Sequence, residues 1–390
     1  MSNGDADSLF ASHPTWMELD AHALHHNLAQ IRNRINPEVK VIASVKANGY
    51  GHGIIPVCKI LQEAGVDMLT TGSFYDAKAL RNAGVNTPII MLAGSLPFGM
   101  LELIEANLIP TIYNMEAAVA ADAAASSLRS DDKVPVFIKV DCGMGRLGVS
   151  LSNAVTFIKR VSKLKNIWIQ GLYTHLSFKN ESGMKFAEKR LSLFYDLVLE
   201  LEKHGYKIPI TQALASSAIT VRWKDQCSAI CPGHILYGLP SINSSLGEIK
   251  EFLPVCKNIK TRVIHIAAHE NGPAIGTGGY HINRSFSRTC VVPFGLNDGN
   301  RSSLNGKKPV VLFKDARLAV LGVSLEHLTL EIPDDTEINL GDTITIIGQS
   351  GDECIDMSEY SSWFNTSELE TMLTLSNRMP IVVINKDEAV

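Results

Sequence analysis

The apolar positions of the chain follow two different rhythms, and the change falls near residue 250. Up to about residue 245, short runs rich in β-branched residues alternate with stretches in which apolar residues recur at helical spacing. The runs are almost continuously apolar, which is typical of parallel strands buried on both faces. They predict eight strands, at residues 39–45, 67–72, 87–93, 108–113, 134–141, 167–175, 210–215 and 229–237.

The segments between these runs predict helices. After Asp20, a residue type that often caps helices, Leu24, Leu28 and Ile31 recur at helical spacing, and residues 186–201 follow the same pattern. Eight strand–helix units in about 230 residues predict a closed (β/α)8 TIM barrel of the α/β class. An open doubly wound sheet is the alternative, but no GxGxxG motif follows the first strand to support a dinucleotide site.

From residue 251 the runs become shorter and partly alternating, which indicates a mainly β domain. Turn sequences such as Asn297-Asp298-Gly299 separate them. We predict strands at 257–268, 289–294, 310–313, 318–330 and 343–348. The predicted organisation is an N-terminal segment (1–18) that pairs with the β domain, a barrel domain (19–250) and a C-terminal β domain (251–390).

Composition and charge exclude several classes of protein. The net charge of −4 is spread along the chain without a basic stripe, so we expect neither nucleic acid nor an anionic membrane as a partner. The chain opens without a secretory signal, and no apolar run reaches the roughly 18–20 residues of a bilayer span. A cytoplasmic location is therefore expected. Seven scattered cysteines without a CxxC pair predict neither a disulfide framework nor a metal site.

The predicted barrel brings its reactive residue types to one end, because a TIM barrel carries its active site at the C-terminal ends of its strands. Following the ends of strands one, five, six, seven and eight gives Lys46, Arg146, His175, Ser216, Ser217, Cys231, Gly233, His234 and Tyr237. One end of the barrel thus collects a lysine, an arginine, histidines, serines and a glycine.

These residue types are the parts of a pyridoxal-phosphate (PLP) enzyme that acts on amino acids. A partly desolvated lysine can form a Schiff base, and Lys46 is the candidate. Hydroxyls and backbone N–H groups after strands seven and eight, at Ser216, Ser217 and Gly233, suit a phosphate. Arg146 suits a planar carboxylate. Each part alone has an ordinary structural interpretation, such as a solvated lysine or a serine helix cap, so the hypothesis depends on their convergence.

Longer segments around these residues resemble the alanine racemase family. VIASVKANGYGHG is similar to the family's PLP-lysine signature, FIKVDCGMGRLGV to its arginine-bearing loop, and GLYTHLS to its strand-six histidine segment. PGHILYGLPS resembles the strand-eight phosphate segment, PFGLNDG the G-Y-x-D-G turn of the C-terminal domain, and TWMELDAHALHHN the N-terminal stretch. The resemblance extends from about Thr15 to Ile384, and its first two motifs are specific.

The resemblance implies pyridoxal 5'-phosphate as the cofactor, held in a Schiff base at Lys46. It places Tyr50 near the phosphate, together with the region of Ser217, Gly233 and Tyr237. With Ser216, Cys231, His175 and His234, which lie in the same segments, these residues form the predicted cofactor site.

For the substrate, the resemblance implies that Arg146 faces the carboxylate of a small amino acid, with Lys139 beside it as a carbamylated lysine. Family members are homodimers in which the C-terminal domain of one subunit closes the barrel of the other. Leu325 and Glu326 match the family's C-M-D tripeptide near that shared site, so we expect them to contact substrate.

Several positions depart from the family pattern around this site. The family uses a tyrosine of the partner chain as its second catalytic base, and the gap-free match is Thr277, although a local shift would bring Tyr280 there. Cys231 stands where the family has the arginine that faces the pyridine nitrogen, which leaves His175 free to act as a base. Leu296 replaces the tyrosine of the G-Y-x-D-G turn.

Lys46, Thr277 and His175 are therefore the predicted catalytic residues of an altered family member. The favoured function is racemisation or epimerisation of an amino acid other than alanine, or with poor activity on alanine. A PLP-dependent aldolase acting on β-hydroxy amino acids is one alternative, since losing a tyrosine leaves room for a larger side chain. A cofactor-binding homologue without turnover is the other.

Overall fold

The computed structural model describes residues 14–92, 96–128, 132–269, 288–301, 308–375 and 378–386. They belong to two compact units. The barrel unit comprises residues 23–50 and 54–253, and the β unit comprises residues before 23, residues 51–53 and residues 254–389. In the described ranges no helix is long and apolar enough to cross a membrane.

The predicted fold class is confirmed, because eight parallel strands close into a barrel. After β1 (Trp16–Asp20), which belongs to the β unit, each barrel strand pairs with the next, and the eighth returns to the first. The ring consists of β2 (Lys40–Ser44), β3 (Met68–Thr71), β4 (Ile89–Met91), β5 (Ile109–Ile112), β6 (Val134–Asp141), β8 (Ile167–Leu176), β9 (Ile210–Ala215) and β10 (Ala229–Cys231). The short β7 (Val149–Ser150) pairs with the end of β6, outside the ring.

One layer of the barrel interior is filled by a single residue from each of the eight strands. These are Ile42, Met68, Ile90, Ile109, Phe137, Tyr173, Ile210 and Ala229. Gly171 leaves space for Phe137, since a Cβ there would lie 2.2 Å from the Phe137 ring. The packed layer makes the barrel a solid core, so chemistry is confined to its ends.

Helices follow the barrel strands, and the longer ones bury one apolar face. The helices are α1 (Ala21–Arg32), α2 (Ile54–Glu63), α3 (Phe74–Asn82), α4 (Met100–Glu105), α5 (Met115–Ser127), α6 (Leu151–Val161), α7 (Glu181–Lys203) and α8 (Ser216–Thr220). In α6 the buried residues Ala154, Phe157, Ile158 and Val161 recur at helical spacing. The side chain of Asn180 caps α7 by accepting from the Gly183 N–H at 2.9 Å.

The β unit is mainly β, as predicted. Its strands are β1, β11 (Cys256–Arg262), β12 (His265–Ala268), β13 (Arg288–Val292), β14 (Val310–Phe313), β15 (Ala316–Val323), β16 (Leu328–Ile332), β17 (Thr343–Ser350), β18 (Glu353–Ile355) and β19 (Ile381–Ile384). It also contains α9 (Met357–Trp363) and α10 (Glu368–Thr374). β1 lies between β11, to which it is antiparallel, and β19, to which it is parallel.

Three predicted strands end more than two residues from the predicted bound or are divided in the structure. The run at 229–237 is strand only to Cys231, because Gly233 turns the chain (φ −127°, ψ −86°) into the 3₁₀ turn His234–Tyr237. The run at 257–268 divides into β11 and β12, and the run at 318–330 divides into β15 and β16 around residues 324–327. In that last case a tight turn forms, in which the Ser324 N–H donates to the His327 carbonyl. Apolar character continues through each break, so periodicity alone does not show it.

Candidate functional site

Lys46 lies directly after β2, at the end of the barrel where the strand C-termini meet, and its side chain is exposed. The four residues that follow it, Ala47 to Tyr50, all have positive φ, between 53° and 63°. Three of the four are not glycine, and each L residue in such a left-handed turn costs roughly 1–2 kcal/mol. This turn changes the direction of the chain immediately after the lysine.

Two hydrogen bonds hold the left-handed turn. The Gly49 N–H donates to the Val45 carbonyl at 3.0 Å, and the Ile54 N–H donates to the Asn48 side-chain oxygen at 2.8 Å. Asn48 tolerates the left-handed conformation better than most residues because its short side chain bonds locally. The turn therefore fixes the backbone from which Lys46 extends.

Tyr50, at the end of this turn, packs among residues of the last barrel strand and its loop. Its ring stacks on Tyr237, with centroids 4.9 Å apart, and meets the edge of His234 at 5.5 Å. The Tyr237 hydroxyl donates to the Ser44 carbonyl at 3.1 Å. A Cβ on Gly233 would lie 2.1 Å from the Tyr50 hydroxyl oxygen, so only glycine leaves room for this ring. Burial raises the pKa of Tyr50 to about 12, so it remains a neutral phenol.

Two buried serines form the start of α8, and each contacts a neighbouring loop. The Gly233 N–H donates to the Ser216 Oγ at 2.9 Å, and the Phe178 N–H approaches the Ser217 Oγ at 3.4 Å. Both serines are 2% exposed. Since each oxygen here accepts a hydrogen bond, its own hydroxyl hydrogen is available to donate to an anion. The loops after β8, β9 and β10 thus meet at one point.

A buried amine lies beside the barrel's inner layer. Lys139 on β6 is 7% exposed, and its Nζ lies 4.4 Å from the centre of the Tyr173 ring. Burial, reinforced by the charge of Arg146, lowers the pKa of Lys139 to about 8. A substantial fraction of this amine is therefore neutral at mildly alkaline pH. Burial raises the pKa of Cys231, which packs against the same layer, to about 11, so it is a neutral thiol.

His175 on β8 is held in its neutral form. Burial is the main cause, and the charges of Lys46, Lys139 and Arg146 add to it, so that the pKa falls to about 4. His234 behaves in the same way, with its pKa also lowered to about 4, mainly by burial. Positive charge thus dominates this end of the barrel and disfavours any further cation.

The loop after β6 presents Arg146 to solvent. The carboxylate of Asp141 accepts the N–H groups of Gly143, Met144 and Gly145 at 2.8–2.9 Å and so shapes the loop. Within the part of the chain that the structure describes, Arg146 forms no ion pair. An exposed guanidinium without a carboxylate partner is suited to an anionic ligand.

The remaining predicted residues do not belong to the barrel unit. Leu325 is exposed in the turn before β16, and Glu326 beside it pairs with Arg378 at 3.1 Å. Thr277 and Tyr280 lie outside the described residues. The roles assigned to these positions from the sequence stay predictions.

The structure adds residues that the sequence reasoning missed. Tyr173, in the packed inner layer, contacts Lys139 through its ring, and its hydroxyl lies 3.2 Å from the Thr111 Oγ1. The signal was present, because Tyr173 is two residues before His175 and so lies on the same face of the strand. Ser44, whose backbone carbonyl accepts from Tyr237 and whose side chain hydrogen-bonds Tyr50, had no comparable signal in the sequence.

A closed barrel with an exposed lysine after its first strand and serines after its seventh defines a class of lysine-dependent barrel enzymes. Two family models match the chain: "Alanine racemase, N-terminal domain" over residues 19–241 and "Alanine racemase, C-terminal domain" over residues 256–383. The chain therefore belongs to the alanine racemase family.

Individual relatives agree with this assignment. The chain is 32% identical to an alanine racemase of Methanococcus maripaludis over 378 residues, which is 96% of the chain and 100% of that protein. It is 31% identical to one from Halothermothrix orenii over 96% of the chain and 97% of that protein. Among solved structures, alanine racemase of Clostridium difficile has a TM-score of 0.85 at 26% identity, with 97% of both chains covered.

The cofactor of this family is pyridoxal 5'-phosphate, and the residues present fit it. The exposed amine of Lys46 suits its aldehyde, and the hydroxyls of Ser216 and Ser217 suit its phosphate. Because Gly233 has no side chain, the Tyr50 hydroxyl packs against its backbone, whose N–H contacts Ser216. These groups belong to one unit of the chain and so form one site.

Proposed function

We propose that this protein is a PLP-dependent racemase or epimerase of an amino acid, with alanine a poor substrate. The observation that carries the proposal is Lys46, exposed after the first barrel strand, with its Nζ 5.8 Å from the centre of the Tyr50 ring. The names of the relatives, all alanine racemases, support isomerisation as the reaction type.

Bound PLP withdraws electrons from the substrate Cα–H bond and makes its proton removable. In the proposed mechanism the Lys46 amine would hold the cofactor and would accept or donate the substrate Cα proton on one face. Tyr50 and Tyr237 orient this side of the site, since their stacked rings restrict each other. Ser216 and Ser217 bind the phosphate.

Arg146 is proposed to bind the substrate carboxylate, because its exposed guanidinium matches that planar group. Lys139 is proposed to carry a carbamate, formed from its neutral amine and carbon dioxide. Its lowered pKa, about 8, provides that neutral amine near physiological pH. The negative carbamate would pair with Arg146 and hold the guanidinium in place.

The opposite face of the substrate needs a second proton-exchanging group. Thr277 occupies that position by sequence resemblance, and an alcohol is a far weaker acid than a phenol. A missing general acid typically costs about 10²–10⁴-fold in rate, so alanine should be racemised slowly. His175 is neutral but weakly basic, with its pKa near 4, and is better suited to accept or donate a hydrogen bond.

The proposal includes a homodimer in which the partner subunit's β unit supplies Thr277, Leu325 and Glu326 to the site. Its support is the resemblance of these positions to the family's shared active site. Leu325 is 71% exposed, which agrees with a side chain that a partner subunit would cover.

Incubation with amino acids in deuterated water tests the proposed reaction, because Cα exchange and inversion are followed separately. We expect inversion of at least one amino acid, and alanine inversion much slower than that. Lys46→Ala should abolish inversion together with the borohydride-reducible chromophore. Lys40→Ala, at the opposite end of β2, is the matched control and should retain both.

The other outcomes count against the proposal. Fast alanine inversion would show that another group, such as Tyr280, replaces the missing tyrosine. Aldehyde release from β-hydroxy amino acids would favour the aldolase alternative. A chromophore that survives Lys46→Ala would mean that a different lysine holds the cofactor.

A further inference from the structure

Lys179 lies in the loop between β8 and α7, next to the serines of the proposed phosphate site. The preceding residue, Phe178, directs its backbone N–H at the Ser217 Oγ, 3.4 Å away. The Lys179 carbonyl accepts the Asn243 N–H at 2.8 Å, which fixes the main chain of this loop. The lysine backbone is thus tied to the serine pair on one side and to a neighbouring loop on the other.

The charge of Lys179 has no partner in the parts of the chain that are described. The side chain is exposed and forms no ion pair there. It also lies directly before Asn180, the N-cap of the 23-residue helix α7. The N-terminus of a helix carries partial positive charge, so a lysine beside it is unfavourable unless an anion is also bound.

The charges of Lys179 and Lys46 both affect the imidazole of His234. Both charges oppose protonation of His234, which places both ammonium groups in the electrostatic surroundings of one ring. That ring packs edge-on against Tyr50, and the Lys46 Nζ lies 5.8 Å from the centre of the Tyr50 ring. The loop that carries Lys179 thus contacts the Ser217 hydroxyl, and both lysines lie near enough to His234 to disfavour its protonation.

We propose that Lys179 binds the phosphate group of the cofactor and supplies the cationic charge that Ser216 and Ser217 lack. The proposal rests on the cofactor attachment at Lys46 proposed above. A charge-assisted contact to a phosphate is about twice as strong as a neutral hydrogen bond, so Lys179 should strengthen binding of the phosphorylated cofactor selectively. The same contact relieves the unfavourable placement of the lysine at the start of α7.

The test compares binding of PLP with binding of pyridoxal, which lacks the phosphate, to protein freed of cofactor. In Lys179→Met the dissociation constant for PLP should rise about tenfold, as expected for one lost charge-assisted contact, while that for pyridoxal changes less than about twofold. Lys179→Arg should retain most of the affinity. Lys189→Met removes an exposed lysine from the middle of α7 and should bind both ligands like the wild type. Absorbance titration measures all four proteins.

The other results overturn the inference. Equal PLP affinity in Lys179→Met and wild type would show that Lys179 does not contact the phosphate. Equal weakening of PLP and pyridoxal would show that it supports the loop instead. If the wild type itself bound no PLP, the proposed function would fail as well, whereas PLP binding that is insensitive to Lys179 overturns the inference alone.

Discussion

The two histidines at the C-terminal end of the barrel make the stability of the protein depend on pH. An unperturbed histidine has a pKa of about 6.5, whereas burial and nearby cations lower the pKa of His175 and of His234 to about 4. The unfolded chain therefore binds more protons than the folded chain between these values. The stability that each neutral histidine contributes is complete above pH 6.5 and is lost as pH falls toward 4.

We predict that protein freed of PLP loses about 2 kcal/mol per histidine between pH 7.5 and pH 5. Urea unfolding at the two pH values measures the loss in the wild type and in His175→Asn. The variant should lose about 2 kcal/mol less than the wild type over this interval, because its titrating group is gone. His204→Asn, at an exposed position after α7, is the control. An unchanged pH dependence in His175→Asn would contradict the assignment.

Gly233 is a residue at which the site tolerates little change. Any Cβ would lie 2.1 Å from the Tyr50 hydroxyl oxygen and 2.7 Å from the ring carbon that bears it. Tyr50 cannot move aside easily, since it is buried and stacked on Tyr237. Gly233→Ala should therefore lower the free energy of unfolding by about 1–3 kcal/mol and weaken PLP binding.

Gly99→Ala is the matched control for Gly233→Ala. No atom lies within 4 Å of a Cβ at Gly99, and its φ of −91° suits alanine. Thermal unfolding of both variants, with and without PLP, checks the prediction. A Gly233→Ala protein that unfolds like the wild type would show that the Tyr50 ring has another place to go.

At the scale of elements, the left-handed turn after Lys46 stores backbone strain beside the reactive amine. Ala47 has a φ of 53° and an exposed side chain, so its Cβ is a source of strain and packs little. Ala47→Gly should stabilise the protein by about 1 kcal/mol, since glycine adopts this conformation without steric cost.

A second alanine gives the opposite expectation. Ala123 is exposed within the regular helix α5, where replacement by glycine costs about 1 kcal/mol. Urea unfolding of the two glycine variants should therefore give free-energy changes of opposite sign. Destabilisation by Ala47→Gly would mean that the strain is outweighed by the entropy of the unfolded chain.

The elements that carry the site differ in how well the sequence predicts them. The strands at 134–141 and 210–215 have the predicted bounds because turn residues and polar residues flank their apolar runs. The eighth strand is shorter than predicted, since its apolar run continues into a 3₁₀ turn with the same hydrophobicity. The left-handed turn has no periodicity at all and depends on contacts from outside the segment, such as the Ile54 N–H.

At the scale of the whole molecule, the proposed dimer predicts complementation between two inactive subunits. Lys46→Ala removes the lysine from the barrel unit, and Thr277→Ala removes the group proposed for the partner's β unit. A mixed dimer would contain one site with both defects and one with neither. After random reassociation of equal amounts, about a quarter of the wild-type sites should be restored.

The measurement is amino-acid inversion by the mixture against each variant alone, provided that Thr277→Ala is itself inactive. Mixing Lys46→Ala with a second barrel-unit variant, Arg146→Ala, gives the control, because both defects then lie in the same unit. Every site in that mixed dimer carries one defect, so this mixture should stay inactive. Activity in neither mixture, or an active monomer, would contradict the shared site.

The sequence predicts the residues of the candidate site only where they belong to the barrel unit. Lys46, His175 and the serine pair follow from strand order, because the ends of barrel strands meet at one end. Tyr173 is not predicted as a site residue, because a buried aromatic residue is usually assigned to the hydrophobic core. The domain boundaries at 18/19 and 250/251 stay predictions. The roles of Thr277 and Glu326 also stay predictions, since no local pattern specifies contacts with a second subunit.

The position of β1 has a consequence for the order in which the chain can fold during synthesis. This strand is made first, yet its two neighbours, β11 and β19, come more than 230 and 360 residues later. Domains generally fold as they emerge from the ribosome, N-terminal parts first. Here the barrel strands can close while β1 still has no partner. Residues 16–20 therefore have no partner strand until β11 has been made, and their second neighbour, β19, is added only when translation is almost complete.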